Sequence, residues 1–251
     1  MAKRPLMSGN WKMYMNTASG LDLVKSLKAN CGDVKDRDIL IFVPFTLLAP
    51  IAKELDGTNV WVGAQNMYFE KEGAFTGEIS PLQILDTGAK WVLLGHSERR
   101  HVFGETNDLI NKKLKSALAH GLKPVLCVGE LLEEREGGKI EEVLKTQTKG
   151  GFKELSKEDA AKVVIAYEPV WAIGTGKTAS PEDADEAHKI IREILASIYD
   201  QGTADNMRIL YGGSVKPDNV DGLMAKPNID GSLVGGASLK ADGFTRIVKF
   251  Q

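Results

Sequence analysis

Eight short apolar runs recur along the chain, at 5–9, 39–43, 60–64, 91–95, 124–129, 163–167, 208–211 and 233–235. Each is continuously apolar rather than alternating. Strands of a parallel sheet read this way because both of their faces are covered. Between most of the runs the apolar positions change to helical spacing. Leu48, Ile51, Ala52 and Leu55 form one such set, and Ile110, Leu114, Ala117, Leu118 and Gly121 another. The clearest helix is predicted from Ser180 to Tyr199. Ser180 suits the N-cap, Pro181 the first helical position and Asp183 an acidic first turn. Ala184, Ala187, Ile191, Ile194 and Ile198 then make one apolar stripe.

Strand followed by helix, eight times in 251 residues, predicts a closed (β/α)8 barrel, with an open doubly wound sheet as the alternative. No linker or low-complexity tract divides the chain, so residues 1–251 are expected to form one domain. The charged stretch 133–142 reads as a helix surface, and Lys112-Lys113 as a solvated helix face. In a barrel of this kind the residues just after each strand gather on one face, where active sites lie.

The residues at the ends of the runs are therefore informative. Run one ends in Gly9-Asn10-Trp11-Lys12, run four in Gly95-His96-Ser97-Glu98 and run six in Tyr167-Glu168-Pro169. Run seven ends in Gly212-Gly213-Ser214 and run eight in Gly235-Gly236-Ala237. An amide, an ammonium, an imidazole, a carboxylate and two glycine pairs are parts for acid–base chemistry on an anion. Glycine pairs before helix starts let backbone N–H groups approach a ligand, and two pairs on consecutive strands favour a phosphate over two unrelated turns. Glu168 against an apolar run is expected to be desolvated, which raises a carboxylate toward a useful general-base value. A charged strand end reaching solvent is an equal reading. His96 could donate to a carbonyl, although an isolated histidine there more often caps its strand. Lys12 could place positive charge near an oxyanion, although a single lysine is more often a surface group.

The segment Gly174-Thr175-Gly176-Lys177-Thr178 resembles a phosphate-binding P-loop only in part. That motif needs glycine where Trp171 stands, and a strand leading directly into a helix. The small-residue stretch Pro169-Val170-Trp171-Ala172-Ile173-Gly174-Thr175-Gly176-Lys177-Thr178-Ala179 reads better as a lid loop.

Composition narrows the class. Hydrophobic residues make up 43% and charged residues 26%, and the formal net charge is −2. These values suit a soluble globule and argue against a nucleic-acid or membrane-surface protein. Cys31 and Cys127 are far apart and form neither a zinc spacing nor a disulfide framework. Cys127, inside an apolar run, is expected to be a buried thiol. His101, His120 and His188 fall in or near helices, and no His/Asp/Glu cluster has metal spacing. Met1-Ala2-Lys3-Arg4-Pro5 shows no signal-peptide pattern, so the expectation is cytoplasmic.

Taken together, Gly9-Asn10-Trp11-Lys12-Met13, Gly95-His96-Ser97-Glu98-Arg99-Arg100, the stretch from Ala166 to Gly176, Tyr211-Gly212-Gly213-Ser214-Val215 and Gly235-Gly236-Ala237-Ser238-Leu239 closely resemble the motifs of the triosephosphate isomerase family. Ala64-Gln65-Asn66 and Gly73-Ala74-Phe75-Thr76-Gly77-Glu78 extend the resemblance, which is in order and spans nearly the whole chain. That family is itself a standard illustration of a neutral imidazole electrophile and of a closing loop. The resemblance implies interconversion of dihydroxyacetone phosphate and glyceraldehyde 3-phosphate, with no metal and no cofactor. It implies Glu168 as the base, neutral His96 as the electrophile, Lys12 as a positive charge and Asn10 as a hydrogen-bonding partner near the substrate oxygen. Glu98 would be a supporting carboxylate, and Ser97 would hold the base before the lid closes. Gly174, Ser214, Gly235 and Gly236 would bind the phosphate. A homodimer is also implied, with Thr76 as a contact residue. Tyr14 departs from the small polar residue commoner after Met13, and with Met15 close by it bears on packing at that interface. A Schiff-base aldolase would need lysine where Glu168 stands. A flavin- or nucleotide-binding barrel would carry cofactor absorbance, and a P-loop nucleotidase would need Mg²⁺.

Overall fold

The computed structural model describes residues 3–173 and 178–251. Eight strands form: β1 (Leu6–Asn10), β2 (Asp38–Val43), β3 (Val60–Ala64), β4 (Trp91–Leu94), β5 (Lys123–Val128), β6 (Val164–Tyr167), β7 (Ile209–Tyr211) and β8 (Gly231–Val234). Each pairs in parallel with its neighbours in sequence, and β8 returns to β1. Leu6 thus faces Asp38 on one side and Gly231 on the other. Closure removes both sheet edges and rules out the open doubly wound alternative.

The continuous apolar runs supply two layers. Alternate residues point inward, and Leu6, Leu40, Phe42, Trp91, Leu93, Val125, Cys127, Val164, Ala166, Leu210 and Leu233 fill the barrel. The intervening residues, among them Met7, Ile39, Ile41, Val92, Ile165 and Ile209, pack against the helices. Cys127 is fully buried, as expected. The helix read from Ser180 spans Pro181–Ile198. Ser180 Oγ accepts the Asp183 N–H at 3.0 Å while Asp183 Oδ2 accepts the Ser180 N–H at 3.3 Å, a reciprocal cap that satisfies donors the first turn would leave open.

Three local readings need correction. The stretch 133–142 is two helices, Leu132–Glu136 and Ile140–Gly151, separated at Gly137-Gly138, where Gly138 adopts φ +68°. Lys113 does not lie on a solvated face. It is buried, and its ammonium reaches Glu105 at 2.6 Å and Asn66 at 2.9 Å, while only Lys112 is exposed. The last strand begins at Gly231 rather than at residue 233. Among the described residues no helix is long and apolar enough to cross a membrane.

Candidate active site

All eight strands point their C-terminal ends to one rim, and the strand-end residues meet there. A cleft of about 360 Å³ is lined by Asn10, Lys12, Tyr14, His96, Glu168, Ala172, Ile173, Gly212, Gly213, Ser214, Val215, Lys216, Leu233, Gly235, Gly236, Ala237 and Leu239. Every described residue expected to contact substrate therefore shares one cavity. A larger hollow of about 600 Å³ runs along residues 68–86 beside the loop carrying Thr76. Its described lining holds no histidine beside a carboxylate, so the acid–base pair His96 and Glu168 lies in the smaller cleft.

Asn10 ends β1. Its Oδ1 accepts the Lys12 N–H at 2.9 Å, which holds Lys12 at φ +52°, a region non-glycine residues rarely occupy. That turn aims the Lys12 ammonium across the cleft to Glu98 Oε1 at 2.6 Å. After β4, Gly95 takes φ +69° and turns the chain so that His96 caps the short helix Ser97–His101. His96 Nδ1 accepts the Glu98 N–H at 3.2 Å. A nitrogen that accepts cannot carry the proton, so this bond places the imidazole proton on Nε2.

Glu168 follows β6 and is 2% exposed. One carboxylate oxygen lies 3.0 Å from His96 Nε2, and the other accepts the Ser97 backbone N–H at 2.8 Å. Ser97 thus holds the carboxylate, through its backbone. Burial pushes the Glu168 carboxyl up, but His96, the Ser97 N–H and Lys12 outweigh it and hold the group below its ordinary value. The rise expected from sequence is therefore reversed in this arrangement. Burial likewise pushes the His96 imidazole down, and the adjacent Glu168 carboxylate more than offsets it, so the net direction is up.

The glycine pairs differ from expectation in one respect. Gly236 opens a 3₁₀ turn, Gly236–Leu239. No helix begins at Gly212-Gly213-Ser214, and the next one is Val220–Met224. Pro217 disfavours helical backbone at Lys216, so the chain turns first. Any anion contact from Ser214 rests on local N–H groups rather than on a helix dipole. Of the residues expected to form a lid, Val170–Ala172 form a 3₁₀ turn. Gly174, Thr175, Gly176 and Lys177 lie outside the described residues.

Glu130 was not singled out from sequence. It is fully buried, and its Oε1 accepts from Tyr167 Oη at 2.9 Å and Trp171 Nε1 at 2.8 Å, with Arg135 at 3.4 Å. It ties the end of β6 to the start of the stretch 169–179 expected to be a lid. Burial pushes its carboxyl up. The signal for it in the sequence is its place directly after the apolar run 124–129. Among the described residues no group of three or more potential metal-ligating His, Cys, Asp or Glu side chains gathers.

The family model described as triosephosphate isomerase matches residues 5–251. A protein of Herpetosiphon aurantiacus named triosephosphate isomerase is 57% identical over 249 residues, covering 99% of this chain and all of that one. A Treponema denticola protein of the same name is 55% identical over 249 residues, covering 99% of each chain. One from Carboxydothermus hydrogenoformans, also so named, is 53% identical over 247 residues, covering 98% of each.

Proposed function

The chain belongs to the triosephosphate isomerase family, and from that premise we propose that Glu168 moves the proton and His96 polarises the carbonyl. The reaction is the interconversion of dihydroxyacetone phosphate and glyceraldehyde 3-phosphate, without metal or cofactor. The observation that carries the role assignment is the 3.0 Å approach of Glu168 to His96 in the cleft that Lys12, Ser214, Gly235 and Gly236 also line.

Both Glu168 oxygens are engaged before substrate arrives, one by His96 and one by Ser97. To act as a base, the carboxylate must exchange at least the His96 contact for the substrate C–H. That exchange frees His96 Nε2–H to donate to the carbonyl. It also removes the main influence that raised the imidazole; burial, Lys12 and the N–H aimed at Nδ1 then favour the neutral form, opposed by the smaller upward influence of Glu98. A neutral donor suits the step, because it can give a proton to one oxygen of an enediolate and recover one from the other. Lys12 supplies positive charge at the developing oxyanion, with Glu98 holding the ammonium in place. Asn10 supports the Lys12 turn and faces the same cavity.

General-base catalysis contributes about 10²–10⁴ in rate and an oxyanion donor a further ~10²–10³. Phosphate held by Gly174, Ser214, Gly235 and Gly236, under a lid at residues 169–179, supplies orientation and excludes water from an enediolate that could otherwise expel phosphate.

The same reading takes residues 1–251 as one domain, since β1 and β8 must pair to close the barrel. It places the protein in the cytoplasm. It takes the active form as a homodimer, supported by Met13 (96% exposed), Phe75 and Phe103, apolar side chains that a monomer leaves in water. Thr76 sits in the loop beside Phe75, and a sedimentation mass of one chain rather than two would count against the dimer. Tyr14 is exposed and also lines the cleft, so it stands where that interface and the active site meet.

The test is Glu168→Gln in a coupled assay with excess chelator. The variant should fold normally and lose kcat by a factor of about 10² or more, the scale of general-base catalysis. Near-normal turnover would remove Glu168 from the mechanism.

A further inference from the structure

Lys216 lines the cleft beside Val215 and Ser214 and is exposed. The Lys12 ammonium is matched by Glu98 at 2.6 Å, whereas Lys216 has no carboxylate partner among the described residues. It is the one lining cation of the described cleft left uncompensated. Its side chain is free, but its backbone is fixed. The Lys216 N–H donates to Asn219 Oδ1 at 2.8 Å, and Asn219 Nδ2 donates to the Ser214 carbonyl at 2.9 Å. The Lys216 carbonyl in turn accepts the Val220 N–H at 3.2 Å. Asn219 therefore clamps both ends of the turn 214–216. The Ser214 carbonyl is spoken for, and the root of the Lys216 side chain is held at the mouth of the cleft.

We propose that Lys216 is a capture residue for the substrate's phosphate dianion, presented at the cleft mouth by the turn that Asn219 clamps. The inference rests on the isomerase reading above and adds to it a residue acting on encounter and binding rather than on the chemical step. The protein carries a net charge of −2, so a dianion approaching at random meets weak overall repulsion. An unpaired ammonium at the rim of a walled cleft reverses that locally, because the low-dielectric walls focus its field. Lys216 draws in the phosphate, Ser214, Gly235 and Gly236 receive it, and the carbonyl end of the triose is left facing Lys12 and His96.

The experiment compares the full chain with Lys216→Gln, Lys216→Arg and Lys189→Gln. Lys189 lies on the outer face of helix Pro181–Ile198, so its substitution removes the same charge at a distance from the cleft. Steady-state kinetics with glyceraldehyde 3-phosphate are measured from about 0.01 M to about 1 M ionic strength, over which the screening length falls from about 30 Å to about 3 Å. Lys216→Gln should lower kcat/KM by about 3–10-fold at low salt, the share of one charge in steering effects of about 10–10³, and meet the unmodified protein at high salt. The loss should fall mainly on KM. Lys216→Arg should retain the salt dependence, and so should Lys189→Gln. An unchanged salt slope in Lys216→Gln, or an equal flattening in Lys189→Gln, overturns the proposal while leaving the isomerase reading intact. If the unmodified protein fails to isomerise the triose, the reading beneath it fails instead.

Discussion

Gly129→Ala offers a sharp test of how the barrel places Glu168, the proposed base. Gly129 follows β5 and lies against the backbone of Glu168. A Cβ at this position would stand 1.8 Å from the Glu168 carbonyl oxygen, 2.5 Å from its carbon and 3.1 Å from its Cα. Ordinary contact begins near 3.4 Å, so about 1.6 Å of separation must be found. No flexible side chain can supply it. The Gly129 N–H donates to Gln147 Oε1 at 2.8 Å, its carbonyl accepts from Gln147 Nε2 at 3.0 Å, and the Glu168 N–H donates to the Val128 carbonyl at 2.8 Å. Both sides of the clash are tied backbone.

The sign of the effect discriminates. Gly129 does not occupy the left-handed region, so alanine without the clash would stabilise by about 0.4–1 kcal/mol through the unfolded chain. Overpacking instead destabilises by about 1–3 kcal/mol or more. If strain is relieved by moving residue 168, the proposed base is misplaced, and about 1 Å of error costs about 10²-fold in rate. Urea denaturation and coupled-assay kinetics on the same preparation separate the two routes. The expected result is a lower midpoint, a kcat/KM down by about two orders of magnitude, or both. A variant as stable as the parent, with kcat/KM within a factor of about 3, would refute this account, since it would mean that the two backbones do not approach as closely as the geometry requires.

Two further outcomes depend on the titrating groups. In Glu168→Gln the His96 midpoint, read from its ring proton by NMR, should fall from its raised value, because the carboxylate that raises it most is gone and burial remains; an unmoved midpoint contradicts the coupling. Burial pushes His188 down to about 3, so folding excludes a proton that the unfolded chain binds below about 6.5, and stability contributed by the neutral ring is lost as pH falls through that window at up to about 1.4 kcal/mol per unit; urea midpoints at pH 7, 6 and 5 should show a shallower slope in His188→Phe, and equal slopes would show that another group carries the effect.

The barrel was legible because its cause is local. Burial on both faces forces continuous apolar runs, and those runs marked all eight strands to within two residues at each end. Helix Pro181–Ile198 was legible because its capping residues are adjacent in sequence. What escaped was through-space. Lys113 looks like any basic surface residue until Glu105 and Asn66 are folded around it. The direction of the Glu168 shift escaped for the same reason. The apolar run before it shows desolvation, but the Ser97 N–H, 71 positions away, and the His96 ring that oppose it are brought in only by closure between β4, β5 and β6. Gly129 belongs with these, since nothing local distinguishes it from a turn glycine.

Closure also sets an electrostatic problem that the fold must solve. With His96 uncharged, the inner site holds one cation, Lys12, against two carboxylates, Glu98 and Glu168. One negative charge is therefore left where a dianionic substrate must bind. Adding a cation beside Glu168 would cure the repulsion but would further depress a carboxyl already held below its ordinary value. The arrangement avoids this by spreading the attraction around the rim. In the proposed reading the reacting end meets β4 and β6, and the phosphate end meets the turns after β7 and β8, where donors are backbone N–H groups that carry no full charge. Lys216 is the only lining ammonium on that side among the described residues, and it lies at the mouth rather than beside the base. A barrel can keep anion capture and base strength independent in this way because its circumference separates them, and a charge moved inward from Lys216 would couple the two again.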